Sequence, residues 1–351
     1  MRIPFTDGGA GEGLMPGAWN AIDVVLLRLE TEDGYVGWGE SFSYFLRKTV
    51  VSALEEMILP HVVGATVEDI PTFTRTIQQR VHLFGRYGIT MFAISGLDIA
   101  LWDLQAKRQN ARVAELIGGV KRNNFPVYAS LVRYGDPALV EKFARKAVDE
   151  GYPAVKMHEI TLEAITAGRK GAGDVPLSTD VNCNWSMQQT VDILPTLKEL
   201  DLYWVEEPVF PPDNERVLGD LQQRFGVPIA SGENACTSVE FARIAPSIKY
   251  LQPSVTKVGG ITEFIECCNV IEKAGAITMP HCPYFGPGYW ASAHLMAARP
   301  ETGMFEFLYI EPDTWLDPDI PLARDGMITL PDKPGIGFEP DLEILERFRI
   351  D

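Results

Sequence analysis

Three runs, VPLSTDVNCNW (residues 175–185), LYWVEEP (202–208) and VPIASGEN (227–234), decide the fold of this 351-residue chain. Each is short, carries the β-branched and aromatic content of a buried strand, and closes on an acid: Asp180, Glu206 and Glu233. Ser186 with Gln189, and Thr237 with Glu240, have the spacing of capping boxes, so the acids sit where a strand passes into a loop ahead of a helix. Successive acids are 26 and 27 residues apart, the length of about one strand, one helix and two loops. Consecutive parallel strands therefore present three carboxylates at one rim. Such a trio repels itself unless a hard divalent cation neutralises it, and oxygen-only ligation favours Mg²⁺ or Mn²⁺ over Zn²⁺.

The same grammar extends in both directions. After Asn124, strand candidates start near Val127, Ala154, Pro176, Tyr203, Pro228, Tyr250, Ile277 and Met304, the repeat of a (β/α) barrel with its chemistry at the C-terminal rim of the strands. The first helix illustrates the reading: Asp136 caps it, Pro137 occupies its first turn, Leu139, Val140, Phe143, Ala147 and Val148 form its apolar stripe, and Gly151 ends it. In AVKMHE, alternation puts Lys156 and His158 on one face, toward the barrel mouth, and Met157 on the other. Upstream, AIDVVLLRLET and GYVGWGES form a hairpin around Asp33 and Gly34. From Arg47 to Gly119 the period is helical, with Ile94, Leu97, Leu101 and Leu104 on one face, and Asp98 and Asp103 read as structural salt-bridge partners.

The strings TDVNCNW, WVEEP, ASGEN, QPSVTKVGGITE and MPHCPYFGPG, in that order, resemble the enolase superfamily in its mandelate racemase and muconate-lactonising branch, from about Glu30 to about Glu306. The resemblance implies a modified (β/α)8 TIM barrel of the (β/α)7β kind over residues 124–319, with an N-terminal α+β capping domain over residues 1–123 that segment 320–351 completes. It implies a Mg²⁺ site at Asp180, Glu206 and Glu233, acid and base groups among Lys156, His158, His281 and Glu306, and supporting roles for Asn182, Glu207, Asn234, Ser254 and Lys257. The implied chemistry is removal of the proton α to a carboxylate. That proton is so weakly acidic that the dianionic enediolate needs strong electrostatic stabilisation, while a positioned Lys or His takes the proton. Sites of this superfamily divide the labour in this way, a Lys or His base working beside Mg²⁺.

Two departures from the family pattern bear on mechanism. The second strand commonly carries Lys-x-Lys, and here His158 stands at the second lysine's position, leaving Lys156 as an electrostatic stabiliser unless it is itself the base. The sixth strand commonly carries an Asp that pairs with the seventh-strand His, and here that position is Ser254. Without the carboxylate, His281 loses an orienting acceptor and is expected to be a weaker base that can still serve as an acid. The expected reaction is dehydration of a hydroxy or sugar acid; racemisation or epimerisation, cycloisomerisation, and a non-catalytic metal- and carboxylate-binding homologue are the alternatives.

Composition sets the outer limits. The net charge of −17 argues against nucleic acid or an anionic membrane as partner, and no uninterrupted apolar run reaches the length of a span. A small carboxylate substrate and a homo-oligomeric state, usual in relatives, are the expected partners. The five cysteines, Cys183, Cys236, Cys267, Cys268 and Cys282, form no CxxC pattern and read as reduced core thiols. No signal peptide is visible, so the cytoplasm is the expected location. RIPFTDGGAGEGLMPGAWN (2–20) reads as a loop that closes over substrate, and the strand that precedes this loop in relatives is expected to be missing. Tyr44 and Tyr284 are residues that substrate contact or packing would serve equally well.

Overall fold

The computed structural model describes residues 1–6 and 19–350, so residues 7–18 of the expected closing loop (2–20) lie outside the described residues, and residues 2–6 of it form a strand. The strand expected to be missing is present. Arg2–Thr6 runs antiparallel to Ala21–Asp23 on one side and to Glu311–Pro312 on the other. The hairpin pairs Val25–Glu30 with Val36–Ser41, from Val25 opposite Ser41 to Glu30 opposite Val36, around Gly34 at φ +86°. Its second strand lies directly on the helix Ile89–Arg108. A Cβ on Gly39 would stand 1.9 Å from the Gly96 carbonyl oxygen, so only glycine permits this approach.

The helix Ile89–Arg108 has, by length and composition, what a membrane span requires, but 83% of its apolar window is buried inside the fold. Ile94, Leu97, Leu101 and Leu104 are all buried, as the period requires. Its two acids divide the expected role. Asp103 pairs with Lys107 at 2.7 Å and accepts the backbone N–H groups of Trp38 and Ile336. Asp98 makes no ion pair among the described residues; it accepts the Thr262 N–H at 3.0 Å and the Thr262 hydroxyl, tying the capping helix to the start of the barrel helix Gly260–Lys273.

All eight barrel strands form where the sequence places them: Asn124–Ser130, Val155–Met157, Leu177–Asp180, Val205–Glu206, Ile229–Ser231, Tyr250–Leu251, Ile277–Thr278 and Phe305–Leu308. The first seven pair in sequence order and in parallel, and the eighth returns beside the first with Glu306 opposite Tyr128. The seam between seventh and eighth closes through the Gly303 N–H on the Thr278 carbonyl at 2.8 Å. Helices follow strands one to seven, which is the (β/α)7β barrel with its capping domain. The first helix is capped by Asp136, whose side chain accepts the Ala138 N–H; Val140, Phe143 and Ala147 are buried, while Leu139 faces solvent.

Period-two alternation fills the barrel. Tyr128, Ala154, Trp204, Ala230, Tyr250 and Met279 form an apolar plug at its base. Two residues further along five of these six strands stand Ser130, Lys156, Glu206, Gln252 and His281, a polar residue above an apolar one, while Ala230 is followed at that place by Gly232. Each buried aromatic in the plug contributes about 1.5–3 kcal/mol of transfer free energy, which offsets the cost of the polar layer over it.

Candidate active site

The third strand ends at Asp180 and the fourth at Glu206, and Glu233 follows the fifth across Gly232, whose φ of +116° and closeness to the Phe241 ring leave no room for a side chain. One carboxylate oxygen from each of Asp180, Glu206 and Glu233 lies within 4.8 Å of the others, and all three residues are buried. Among the described residues Asp180 Oδ2 has no hydrogen-bond partner. Burial, and then the charge of Asp180, push the Glu206 carboxyl up to about 8. Burial opposes ionisation of Glu233 too, but Lys257 and His281 outweigh it and hold that carboxyl well below its usual range.

Lys156 stands beneath the trio. Its Nζ is 3.1 Å from Glu206 Oε1, 3.6 Å from Asp180 Oδ2 and 3.0 Å from Glu306 Oε1. Burial disfavours the ammonium, but Glu206 and Glu306 outweigh it and raise its pKa well above the ordinary lysine range. Glu306 is fully occupied: it accepts the Ser130 hydroxyl at 2.8 Å and the Cys282 N–H at 3.2 Å besides the ammonium.

Two imidazoles flank the trio. His158 Nδ1 lies 2.5 Å from the Leu131 carbonyl, which only accepts, so the ring hydrogen is on Nδ1 and the Nε2 lone pair is free, 3.4 Å from Asp180 Oδ2. Burial, and then Lys156, push the His158 pKa down to about 4. His281 Nε2 lies 3.0 Å from Glu233 Oε2, and its Nδ1 lies 3.2 Å from Ser254 Oγ and 3.3 Å from the Tyr284 hydroxyl. Met157 points away, its sulfur packed at Gly168 of the following helix.

The remaining expected residues form a surrounding shell. Asn234 donates to Glu233 Oε1 at 3.0 Å and accepts from Lys257, which is 3.9 Å from the same Glu233 oxygen and stacks over the Phe42 ring. Glu207 is buried beside Cys183, and burial, then Glu233 and Asp180, raise its carboxyl well above the usual range. The Asn182 side-chain oxygen accepts from Arg133 at 3.1 Å, while its N–H donates to Asp180 Oδ1 at 2.8 Å. The second expected capping box differs in detail: Thr237 makes no side-chain cap, and Glu240 reaches back to the Cys236 N–H instead. All five cysteines are free, and Cys183 is only partly buried.

Sequence reasoning missed Trp204, whose Nε1–H donates to Glu206 Oε2 at 3.0 Å; alternation two residues before Glu206 was the available signal. It also missed Arg133, which grips the His158 carbonyl, and Glu40, which caps the helix Pro287–Ala298 by accepting the Gly288 N–H at 2.8 Å. Tyr44 and Tyr284 are both engaged within the protein, Tyr44 with the Pro283 carbonyl and Tyr284 with Ser254.

The family model described as enolase C-terminal domain-like matches residues 139–344, and that of the mandelate racemase/muconate lactonizing enzyme N-terminal domain matches residues 16–118. The chain is 27% identical over 346 residues to an arabinonate dehydratase of Saccharolobus solfataricus, covering 95% of this chain and 92% of that one. It is 28% identical over 348 residues to a 3,6-anhydro-alpha-L-galactonate cycloisomerase of Streptomyces coelicolor, covering 95% and 93%. A crystal structure of a racemase from Streptomyces coelicolor with bound magnesium superposes with a TM-score of 0.86 at 26% identity, over 99% of this chain and 97% of that one. With both domain models matched in order on a (β/α)7β barrel, the chain belongs to the enolase superfamily, in its mandelate racemase/muconate-lactonising branch.

Proposed function

We propose that this enzyme is a Mg²⁺-dependent lyase that removes the α-proton of a small hydroxylated carboxylate and eliminates its β-hydroxyl, an acid-sugar dehydratase. The observation that carries the reading is the pair of imidazoles on either side of the buried carboxylate trio, His158 at Asp180 and His281 at Glu233. Asp180, Glu206 and Glu233 would hold the ion: the donor set is oxygen only, Asp180 Oδ2 is buried without a hydrogen-bond partner among the described residues, and burial together with the Asp180 charge, which raise Glu206, would be offset by a divalent cation. Mn²⁺ would satisfy the same ligands. The bound ion would supply electrostatic stabilisation of the negative charge that develops on the substrate carboxylate as the α-proton leaves.

The chain's own groups do the rest. His158 accepts the α-proton at Nε2, because the Leu131 carbonyl fixes its hydrogen on Nδ1. Lys156 is held as a cation by three carboxylates, so it stabilises negative charge in place of accepting a proton. The β-carbon–oxygen bond breaks as His281 protonates the leaving hydroxyl, releasing water. The resulting enol ketonises. Curated relatives of equal similarity include a cycloisomerase, and that reaction would use the same first step with an internal nucleophile or leaving group.

The test is a library of acid sugars and related carboxylates incubated in D₂O with Mg²⁺ and followed by NMR. Formation of a 2-keto acid that stops on chelation supports the dehydratase, and ring opening or closure would assign a cycloisomerase. Absence of α-proton exchange for every acid that demonstrably binds would overturn the reading.

A further inference from the structure

The sixth-strand position that faces His281 carries a serine, and what stands behind that serine is a tyrosine from the histidine's own loop. After His281 the chain doubles back, with the Tyr284 N–H on the Cys282 carbonyl at 2.8 Å, and the phenol oxygen comes down on Ser254 Oγ. Both hydroxyls reach His281 Nδ1, at 3.2 Å from Ser254 and 3.3 Å from Tyr284. The tyrosine is immobilised on several sides. It is 2% exposed, its ring meets the His281 ring at 78°, and a Cβ on Gly288 would lie 3.1 Å both from its Cδ2 and from the Glu40 carboxylate. Tyr44 of the capping domain bonds the carbonyl of Pro283, its immediate neighbour.

Hydrogen counting then decides the state of the imidazole. A carboxylate facing Nδ1 could only accept, and would force the ring hydrogen onto Nδ1. A phenol and an alcohol together bring two hydrogens. One is used between the two oxygens, and the other is free to be donated to Nδ1. With Nδ1 accepting, the ring hydrogen sits on Nε2 and donates to Glu233 Oε2 at 3.0 Å, so both ends of the ring are satisfied. The other tautomer would set the Nε2 lone pair against that oxygen, as His158 does at 3.4 Å from Asp180 only because the Leu131 carbonyl claims its Nδ1 hydrogen; no such acceptor-only group stands at His281 Nδ1. Burial holds the Tyr284 phenol well above its ordinary range, so it keeps its hydrogen.

We propose that Tyr284, acting with Ser254, is a positioning residue that sets His281 in the Nε2–H tautomer, opposite to that of His158, so that one imidazole meets the substrate as an acceptor and the other as a donor. Before elimination, neutral or protonated, His281 then carries a hydrogen on Nε2 and has no lone pair there to take an α-proton; the protonated ring is the acid, and on giving its Nε2 hydrogen to the leaving hydroxyl it keeps the one on Nδ1, which Ser254 and Tyr284 accept, until the resting tautomer is restored. When the ring is protonated, the two hydroxyls turn to accept from Nδ1, which a donor fixed in the backbone could not do. Substitution of Asp by Ser on the sixth strand thereby changes the ring's role and leaves it held. The proposal rests on the elimination reading for its use, while the tautomer itself is a property of the protein without substrate.

The test is long-range ¹H–¹⁵N NMR of ¹⁵N-histidine-labelled protein, with and without Mg²⁺, above the pH at which the ring is neutral. The five histidines are assigned by single His→Asn variants. His281 is expected with hydrogen on Nε2 and His158 with hydrogen on Nδ1. Tyr284→Phe removes the second hydroxyl and should convert the His281 signal to a mixture of tautomers; kcat for elimination should fall about 100-fold while KM changes little. Ser254→Asp should place the hydrogen on Nδ1. Ser254→Ala provides the same readout should the tyrosine variant fail to fold. A wild-type His281 with hydrogen on Nδ1, or a tautomer unmoved by these substitutions, would overturn the proposal whether or not a substrate is known. A library without turnover would instead count against the elimination reading.

Discussion

Glu206→Gln removes one charge of the trio with almost no change in shape. Both Glu206 oxygens face donors, Lys156 at 3.1 and 3.2 Å and Trp204 Nε1 at 3.0 Å, so the amide keeps one acceptor and turns its NH₂ toward an ammonium it cannot satisfy. A unit charge about 4 Å away is worth about 4 kcal/mol at an effective dielectric near 20. The retained amide oxygen and the cheaper desolvation of the neutral side chain offset part of that. The expected loss of Mg²⁺ affinity therefore runs from about 10-fold to about 1,000-fold, at about 1.4 kcal/mol per factor of ten. Isothermal calorimetry on chelator-stripped protein measures it, with circular dichroism of the metal-free variant as the control for folding. Unchanged affinity in a folded variant would remove Glu206 from the ligand set and refute the charge argument.

Two further predictions concern the carboxylates that no cation fully relieves. Glu40 is raised by burial to about 7, against an ordinary value of 4.5. A raised carboxyl stabilises fully below its unfolded pKa and loses that contribution as pH rises through the folded one, so Glu40→Gln should flatten the decline of wild-type stability between about pH 4.5 and 7. The upper bound is about 3 kcal/mol, reduced by the helix N-terminus that Glu40 caps. Urea unfolding across that range checks it, and parallel pH profiles for the two proteins would contradict it. Lys156→Met should destabilise the metal-free protein by about 3–5 kcal/mol, since Asp180, Glu206 and Glu306 lose their shared buried cation. Unfolding in chelator and in Mg²⁺ should show part of this loss restored by the ion; equal stability to wild type in chelator would show that Lys156 is not the counter-charge.

What the sequence made legible is what local patterning controls. The eight strand positions follow from apolar runs and turn chemistry, and the convergence of Asp180, Glu206 and Glu233 follows from their even spacing on consecutive parallel strands. Alternation also places Lys156 inward and Met157 outward. What stayed hidden depends on distant partners. Arg2–Thr6 alternates, with Ile3 and Phe5 buried, but Pro4 within it and the glycine-rich run after it hide the strand, which forms because Ala21–Asp23 and Glu311–Pro312 offer it two edges. Asp98 reads as a salt-bridge acid until Thr262, 164 residues away, supplies its donors. Ser254 reads as a loss for His281 because nothing in the sequence says that Tyr284 fills the space behind it. Thr237 has the spacing of a cap, but its loop turns Glu240 toward Cys236.

The central claim is that this is a one-base site, with His158 taking the α-proton and His281 giving one. Exchange of the substrate α-proton in D₂O, measured by NMR beside elimination in His158→Asn and His281→Asn, tests it most directly. The account predicts that His281→Asn abolishes elimination yet leaves exchange, because the proton is still removed and returned on the His158 side, whereas His158→Asn abolishes both. Loss of exchange in His281→Asn with exchange retained in His158→Asn would contradict it.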